Sequence, residues 1–423
     1  MALVTAKRCP APTTFSRMVA LLALGAVAPS WAAEPVTEAE LVRRVLDAPV
    51  ATADLEAVDA QTRADRTAVS LFDSPALEAR HEAARGDFGA TTYALGASLT
   101  VDLGFSPLAH TRAGRLRGSA GDHRRAAVVL ETVCGVRADA VELWAANRSA
   151  SASQASQERL DRLLETLAAL GEAGETSGYD RDRAALSVMA HQTSTAQRLG
   201  AAEGLRARVS ALAGGEVVDV ALAEVPDPPA IEASIAALAS HPVLRALALE
   251  RDAQQADRDG SRRDQLPDLM LSGGSRWDAG PTGGPATQGF EVGGAVQIPW
   301  MNGDRAAARQ HTAAHAAAEA RLARARAELE AEVRGAHRRV ETLTFPSTLI
   351  TAPEAVWTAT IERYRAGEGS LDDLLQVADA VEAAGLAGVE RERMWRRARL
   401  DLSCSSGQFA DPNLQSVLEE AVR

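Results

Sequence analysis

Two stretches of this 423-residue chain read as helices too long for a compact domain to bury. The first covers 106–173 and the second 302–366. At 1.5 Å per residue, each spans roughly 100 Å. Helices of that length must pack laterally, and their apolar pattern agrees. Val129, Val133, Val136, Ala140 and Leu143 follow a 4-3-4-3 spacing, continued by Leu160, Leu163, Leu167 and Leu170. Leu322, Leu329, Val333, Ala336, Val340 and Leu343 keep a seven-residue period. Sustained heptads mean coiled-coil packing. The chain is 46% hydrophobic but only 4% aromatic, and alanine carries much of the apolar share. That favours closely packed helices over a thick aromatic core. Pro346 and Pro353 should interrupt the second long helix, which restarts over 354–365. Ser106-Pro107 offers a hydroxyl N-cap with proline at the first position, and Asn302-Gly303-Asp304 offers an amide cap.

The long helices are matching parts of a tandem repeat with an offset of roughly 193 residues. Pro49-Val50 returns as Pro242-Val243, and Asp59-Ala60-Gln61 as Asp252-Ala253-Gln254. Ala173-Gly174-Glu175 returns as Ala366-Gly367-Glu368, and Ser177 with Asp180 as Ser370 with Asp373. The first repeat covers 33–214, a proline-rich linker 215–230, the second repeat 231–406, and a tail 407–423. Each copy predicts a short helix (38–46, 231–239) and a medium helix (51–69, 243–265). A strand pair follows (74–103, 267–300), then the long helix, a tight turn and a return helix (177–213, 370–404).

The strands rest on period two. Tyr93, Leu95, Ala97, Leu99, Val101 and Leu103 share one face of the first copy. Phe290, Val292, Gly294, Val296, Ile298 and Trp300 share one face of the second. About ten alternating residues suit a half-apolar strand, and also a tilted membrane strand of roughly 9–11 residues. Tyr93 and Trp300 stand at strand ends, where interfacial aromatics belong if the strands cross a membrane. A soluble sheet packed on one face is the alternative.

Glycine-bearing turns end both long helices. Gly174 and Gly367 suit left-handed C-caps, and Ser177 and Ser370 suit the next N-caps. Asp180 and Asp373 stand three residues on, where the local role is structural: cap partner and favourable helix-dipole charge.

At the N-terminus, Lys7, Arg8 and Arg17 precede an apolar run over 18–28, with small residues placed for cleavage after Ala32. This reads as a secretory signal peptide, and the run is too short to span a bilayer. No later run is long and apolar enough for a membrane helix, and no cysteine at the cleavage point supports a lipid anchor. The net charge of −12 argues against a nucleic-acid partner. No metal, phosphate-loop or hydrolase motif is present, so neither enzyme nor cofactor is expected. His311 and His315 lie one helical turn apart without a nearby acidic or thiol ligand, and are assigned to a solvated face. Arg262-Arg263 and Arg396-Arg397 are assigned to solvated faces or salt bridges. Cys134 and Cys404 fall at similar heights above the turns, which permits a disulfide in an oxidising compartment; two buried thiols are the expectation.

The stretch from Glu362 to Leu375, ERYRAGEGSLDDLL, resembles the TolC-like outer-membrane efflux protein family. So do His241-Pro242-Val243-Leu244-Arg245-Ala246, Leu266-Pro267-Asp268-Leu269 and the strand-to-helix passage from Val296 to Arg305. In order within a tandem repeat, they extend the resemblance over nearly all of the chain beyond the signal. The resemblance implies a mainly α fold with membrane β-strands: a long coiled-coil helical barrel plus four strands per subunit. Three subunits would close a 12-stranded outer-membrane barrel above a periplasmic tube. It implies a passive exit duct of a tripartite efflux system, a homotrimer joined to a periplasmic adaptor and an inner-membrane pump, with lipid around its strands. Adaptor contact would fall on Gly174, Glu175, Thr176, Ser177, Gly367, Glu368, Gly369 and Ser370. Asp373 matches the family's acidic tip constriction, with Asp180 its counterpart in the first repeat. Gln376 stands where a second acid is usual. The overall resemblance and the missing anchor cysteine lean toward the branch exporting heavy-metal cations, while drug or protein export stays open. The competing reading is a soluble periplasmic coiled-coil adaptor or scaffold, which would show one helical hairpin between β-domain halves.

Overall fold

The computed structural model describes residues 35–67, 76–83, 91–174, 176–224, 227–279, 287–297, 304–343, 353–409, 416–417 and 420–421. The signal segment, Glu175, Trp300, the Asn302-Gly303 cap and Pro346 lie outside the described residues.

The first half runs β1 (Val36–Thr37), α1 (Glu38–Leu46), α2 (Pro49–Thr67), β2 (Ala76–Ala83), β3 (Thr91–Asp102), α3 (Ser106–Glu172) and α4 (Gly178–Leu212). After β4 (Val220–Ala221), the plan repeats as α5 (Ile231–Ala237), α6 (Pro242–Arg263), β5 (Asp268–Ala279) and β6 (Thr287–Gln297). It closes with α7 (Asp304–Leu343), α8 (Pro353–Arg365) and α9 (Leu371–Ser406). The long helix of the first repeat is unbroken over 67 residues. In the second repeat the described helices are α7 and α8, and α8 begins with Pro353 at its first position, where a missing N–H costs nothing.

The cap of α3 differs from expectation. Phe105 is the N-cap, in the left-handed region at φ 53°, and Ser106 already lies inside the helix. The acceptor is the Asp102 carboxylate at the end of β3. It takes the N–H groups of Gly104 at 2.6 Å and Ser106 at 2.7 Å, and the Ser106 hydroxyl. A carboxylate at a helix N-terminus gains from the dipole as well as from the hydrogen bonds, so it outcompetes the serine hydroxyl for the role.

The heptad residues of α3 face inward. Val129, Val133, Ala140 and Leu143 are fully buried, in one cluster with Leu41 and Val42 of α1, Val209 of α4, and Val217 and Val220 beyond it. The linker is therefore partly structured, since β4 pairs in parallel with β1 through Val36 and Val220. Toward the sheet, the seam changes to small residues: Ala113 of α3 packs on Ala253 and Ala256 of α6. Gly121 shows how close the backbones come, because a Cβ there would lie 2.1 Å from the Thr62 hydroxyl oxygen of α2.

Cys134 and Cys404 are bonded to each other, with Cα atoms 6.1 Å apart, which corrects the expectation of two thiols. Helix packing brings α3 of the first repeat against α9 of the second, a contact that neither cysteine's local sequence reveals. The bond closes a loop across a sequence separation of 270 residues.

Intact mass measured after alkylation without reductant should show both cysteines unmodified. Reduction, or Cys404→Ser, should cost about 2–4 kcal/mol of stability, read as a lower melting temperature. Gly121→Val should cost about 1–3 kcal/mol by forcing α2 away from α3.

Candidate functional site: the open sheet and the hairpin tips

The four longer strands form one antiparallel sheet in the order β2-β3-β5-β6. Register settles which residues share a face. Tyr93 lies opposite Trp277, Leu95 opposite Ser275, Ala97 opposite Gly273, and Leu99 opposite Leu271. Ser275 in turn faces Phe290, Gly273 faces Val292, and Leu269 faces Val296. Since partners across a ladder point to the same side, Leu77, Tyr93, Leu95, Leu99, Leu271, Trp277, Phe290, Val292 and Val296 form one apolar surface. Among the described residues nothing packs on it: Phe290 is 85% and Val292 88% exposed. The opposite face carries Glu78, Arg80, Thr92, Ser98, Thr100, Ser272, Arg276 and Glu291. At 12, 12 and 11 residues, β3, β5 and β6 match the length of membrane strands. The sheet is open, and among the described residues the outer edges of β2 and β6 have no strand partner.

Tyr93 stands at the loop end of β3, half-exposed. The register adds two residues that the sequence reading missed, His81 and Trp277, its neighbours on either side. His81 and Tyr93 rings lie 4.9 Å apart. Alternation within a single strand could not align them; the pairing of β3 with β2 of its own repeat and with β5 of the other does.

The two tips close by the same chemistry. Gly174 at φ 78° and Gly367 at φ 74° supply the left-handed residues after α3 and α8. At Gly367 the pattern is a complete Schellman motif: Glu368 N–H reaches the Arg363 carbonyl at 2.9 Å and Gly367 N–H the Tyr364 carbonyl at 3.0 Å. Ser177 then caps α4 by accepting from Asp180 N–H at 3.1 Å. Ser370 caps α9 in a full capping box, accepting from Asp373 N–H at 3.2 Å while its own N–H donates to Asp373 Oδ2 at 3.1 Å. Hydrogen bonds from the Ser370 side chain and backbone, and then the charge of Arg363, hold the exposed Asp373 carboxyl below its ordinary range. Asp373 is therefore ionised and fixed in direction.

Of the remaining tip residues, Gly174, Ser177, Gly367, Glu368, Ser370 and Gln376 are exposed, while Thr176, Asp180 and Gly369 are half-buried. Behind them one cluster holds both tips together, with Leu160, Leu163 and Leu167 of α3 against Trp357, Leu371, Leu374 and Leu375. Arg183 of α4 also pairs with Asp372 of α9, a contact between the repeats that sequence spacing did not indicate. Arg396 and Arg397 pair along their own helix with Glu392 and Asp401. His311 and His315 are half-buried on α7, and no group of side chains able to hold a metal ion occurs among the described residues. No helix among them is long and apolar enough to cross a membrane.

Residues 234–408 match the family model described as outer membrane efflux protein. The whole-chain fold is that of solved outer-membrane channels. CmeC of Campylobacter jejuni is 15% identical with a TM-score of 0.71, aligned over 91% of this chain and 89% of its own. VceC of Vibrio cholerae is 14% identical with a TM-score of 0.71, over 88% of this chain and 97% of its own. The channel OprN is 20% identical with a TM-score of 0.67, over 88% and 90%. No curated protein sequence matches. Over residues 234–408 the chain is thus similar to the outer membrane efflux protein family, and its mainly α fold with one four-stranded sheet is the fold of those solved channels.

Gly367→Ala should destabilise by about 1 kcal/mol, because an L-residue must adopt the left-handed conformation there. A carboxyl whose folded pKa is lowered stabilises above its unfolded pKa and loses that contribution as pH falls. The melting-temperature difference between the parent protein and Asp373→Asn should thus be present at neutral pH and close below about pH 4.

Proposed function

We propose that three copies of this chain form the exit duct of a tripartite efflux system, a passive conduit rather than an enzyme. The observation that carries this reading is the open four-stranded sheet with an exposed apolar face. Unpaired strand edges cannot sit in lipid, where no water satisfies backbone N–H and C=O groups. Three copies of four strands give one closed barrel of twelve, and closure removes every edge. Below it, α3 and its counterparts line a tube about 100 Å long.

The turns at the far end are the surface for a periplasmic adaptor, through Gly174, Glu175, Thr176, Ser177, Gly367, Glu368, Gly369 and Ser370, with an inner-membrane pump beyond. Threefold symmetry about the tube would set three copies of Asp373 around the axis, one turn from Gln376, with Asp180 in the equivalent place of the first repeat. Crowded ionised carboxylates attract cations. The capping box keeps Asp373 ionised, which suits a cation-sensitive constriction. Heavy-metal cations are the cargo this favours.

In planar bilayers, block by divalent cations at the tip side should be lost in Asp373→Asn; unchanged conductance and block would remove the constriction role. A cysteine at Glu368 should crosslink to the adaptor expressed with it, and absence of crosslinks at all the turn positions would overturn the docking assignment.

A further inference from the structure

A cavity of about 840 Å³ lies between the two repeats, and none of its lining residues belongs to the sheet or to the tips. We propose that it binds one amphiphilic organic cation per chain, with the apolar body between the helices and the charge at Glu131 and Glu332. Binding there requires neither a trimer nor conduction, so its failure would leave the duct reading standing.

The walls come from α2, α3, α6, α7 and α9, and the volume suits a multi-ring or long-chain organic molecule. The lining is chiefly aliphatic, through Val58, Val128, Leu130, Val243, Leu247 and Leu329. A bare ion gains nothing from such walls, which replace the water that solvates it. An apolar body gains with each methylene that it buries. The bonded Cys134 and Cys404 also line the cavity. They pin α3 to α9, so these two walls keep their spacing whether or not a ligand is present, which lowers the ordering cost of binding.

Charge selects the kind of molecule. Two arginines and four carboxylates line the cavity, and both arginines are engaged. Arg124 Nε donates to Glu250 Oε1 at 2.8 Å, and its guanidinium lies 3.9 Å from the Asp65 carboxylate. Arg339 donates to Asp401 Oδ2 at 3.2 Å, while Arg397 donates to Oδ1 of the same carboxylate at 3.1 Å. Glu131 of α3 and Glu332 of α7 are exposed and have no salt-bridge partner among the described residues. They carry the excess negative charge of the site.

His241, in the same lining, adds no positive charge. It is 4% exposed, and burial pushes its imidazole below the ordinary histidine range, against a hydrogen bond to the Cys404 backbone that favours the charged form. The ring is therefore neutral at pH 7, with one N–H, and that hydrogen bond uses it. The buried Nδ1 is left without a partner. It is an open acceptor in an aliphatic lining, and it favours a ligand that carries an N–H. An anion would meet uncompensated carboxylates, and a neutral acyl chain would leave Glu131, Glu332 and His241 Nδ1 as they are.

The test titrates the full chain in phosphatidylcholine nanodiscs with rhodamine 6G and with fluorescein, read by fluorescence anisotropy against empty nanodiscs. The two dyes share a xanthene frame, but the first is a cation with N–H groups and the second an anion. Rhodamine 6G should bind saturably at one site per chain, more weakly as salt is raised, and fluorescein should not bind. Changing Glu131→Gln and Glu332→Gln together should weaken rhodamine 6G about tenfold. Leu247→Trp, which fills the cavity, should abolish binding; the double variant alters only exposed side chains and serves if the tryptophan variant folds poorly. An absence of saturable binding, as when a second copy covers the cavity, would overturn the site. Equal affinity for the two dyes, or unchanged affinity in the double variant, would overturn the choice of a cation.

Discussion

The backbone hydrogen bonds at the edges of one small sheet govern this molecule. A four-stranded sheet with an apolar face satisfies its inner ladders but leaves the outer sides of β2 and β6 unpaired. In water those groups bond to solvent. In hydrocarbon each would cost several kcal/mol, and the remedy available to a sheet is closure. Four strands are too few to close a barrel, so closure in lipid as proposed takes further copies of the chain. The helices hang from the strand ends through Asp102 at the head of α3, and any symmetry the sheet takes is passed down to them.

That inheritance explains the composition of the helices. A 67-residue helix cannot bury itself in a core, so it buries a narrow seam against its neighbours. Near the sheet the seam is alanine and glycine, which allows the tight approach of α2 and α6 to α3. Farther down it is valine and leucine, arranged in heptads. The disulfide ties α3 to α9 midway, and the apolar cluster behind the tips ties them again.

Local chemistry was legible in the sequence and tertiary pairing was not. The heptads, both glycine turns and the serine caps of α4 and α9 depend on residues a few positions apart, and all formed as expected. The cap of α3 misled because a serine before a proline suits the N-cap, while the better acceptor sat four residues upstream at the end of a strand. Alternation in β3 showed the apolar face, but only the register with β5 brought Trp277 beside Tyr93. The Cys134 to Cys404 bond and the Arg183 to Asp372 pair both cross between repeats. Nothing in one repeat specifies which height of the other it will meet.

Inter-subunit strand pairing tests the central claim most directly. Single cysteines are placed along β2 and along β6, and the protein is oxidised in native outer membranes. Closure by three copies predicts a ladder ending at a covalent trimer, formed only when one cysteine lies on each edge and in register. Monomers at every pair of positions would contradict it.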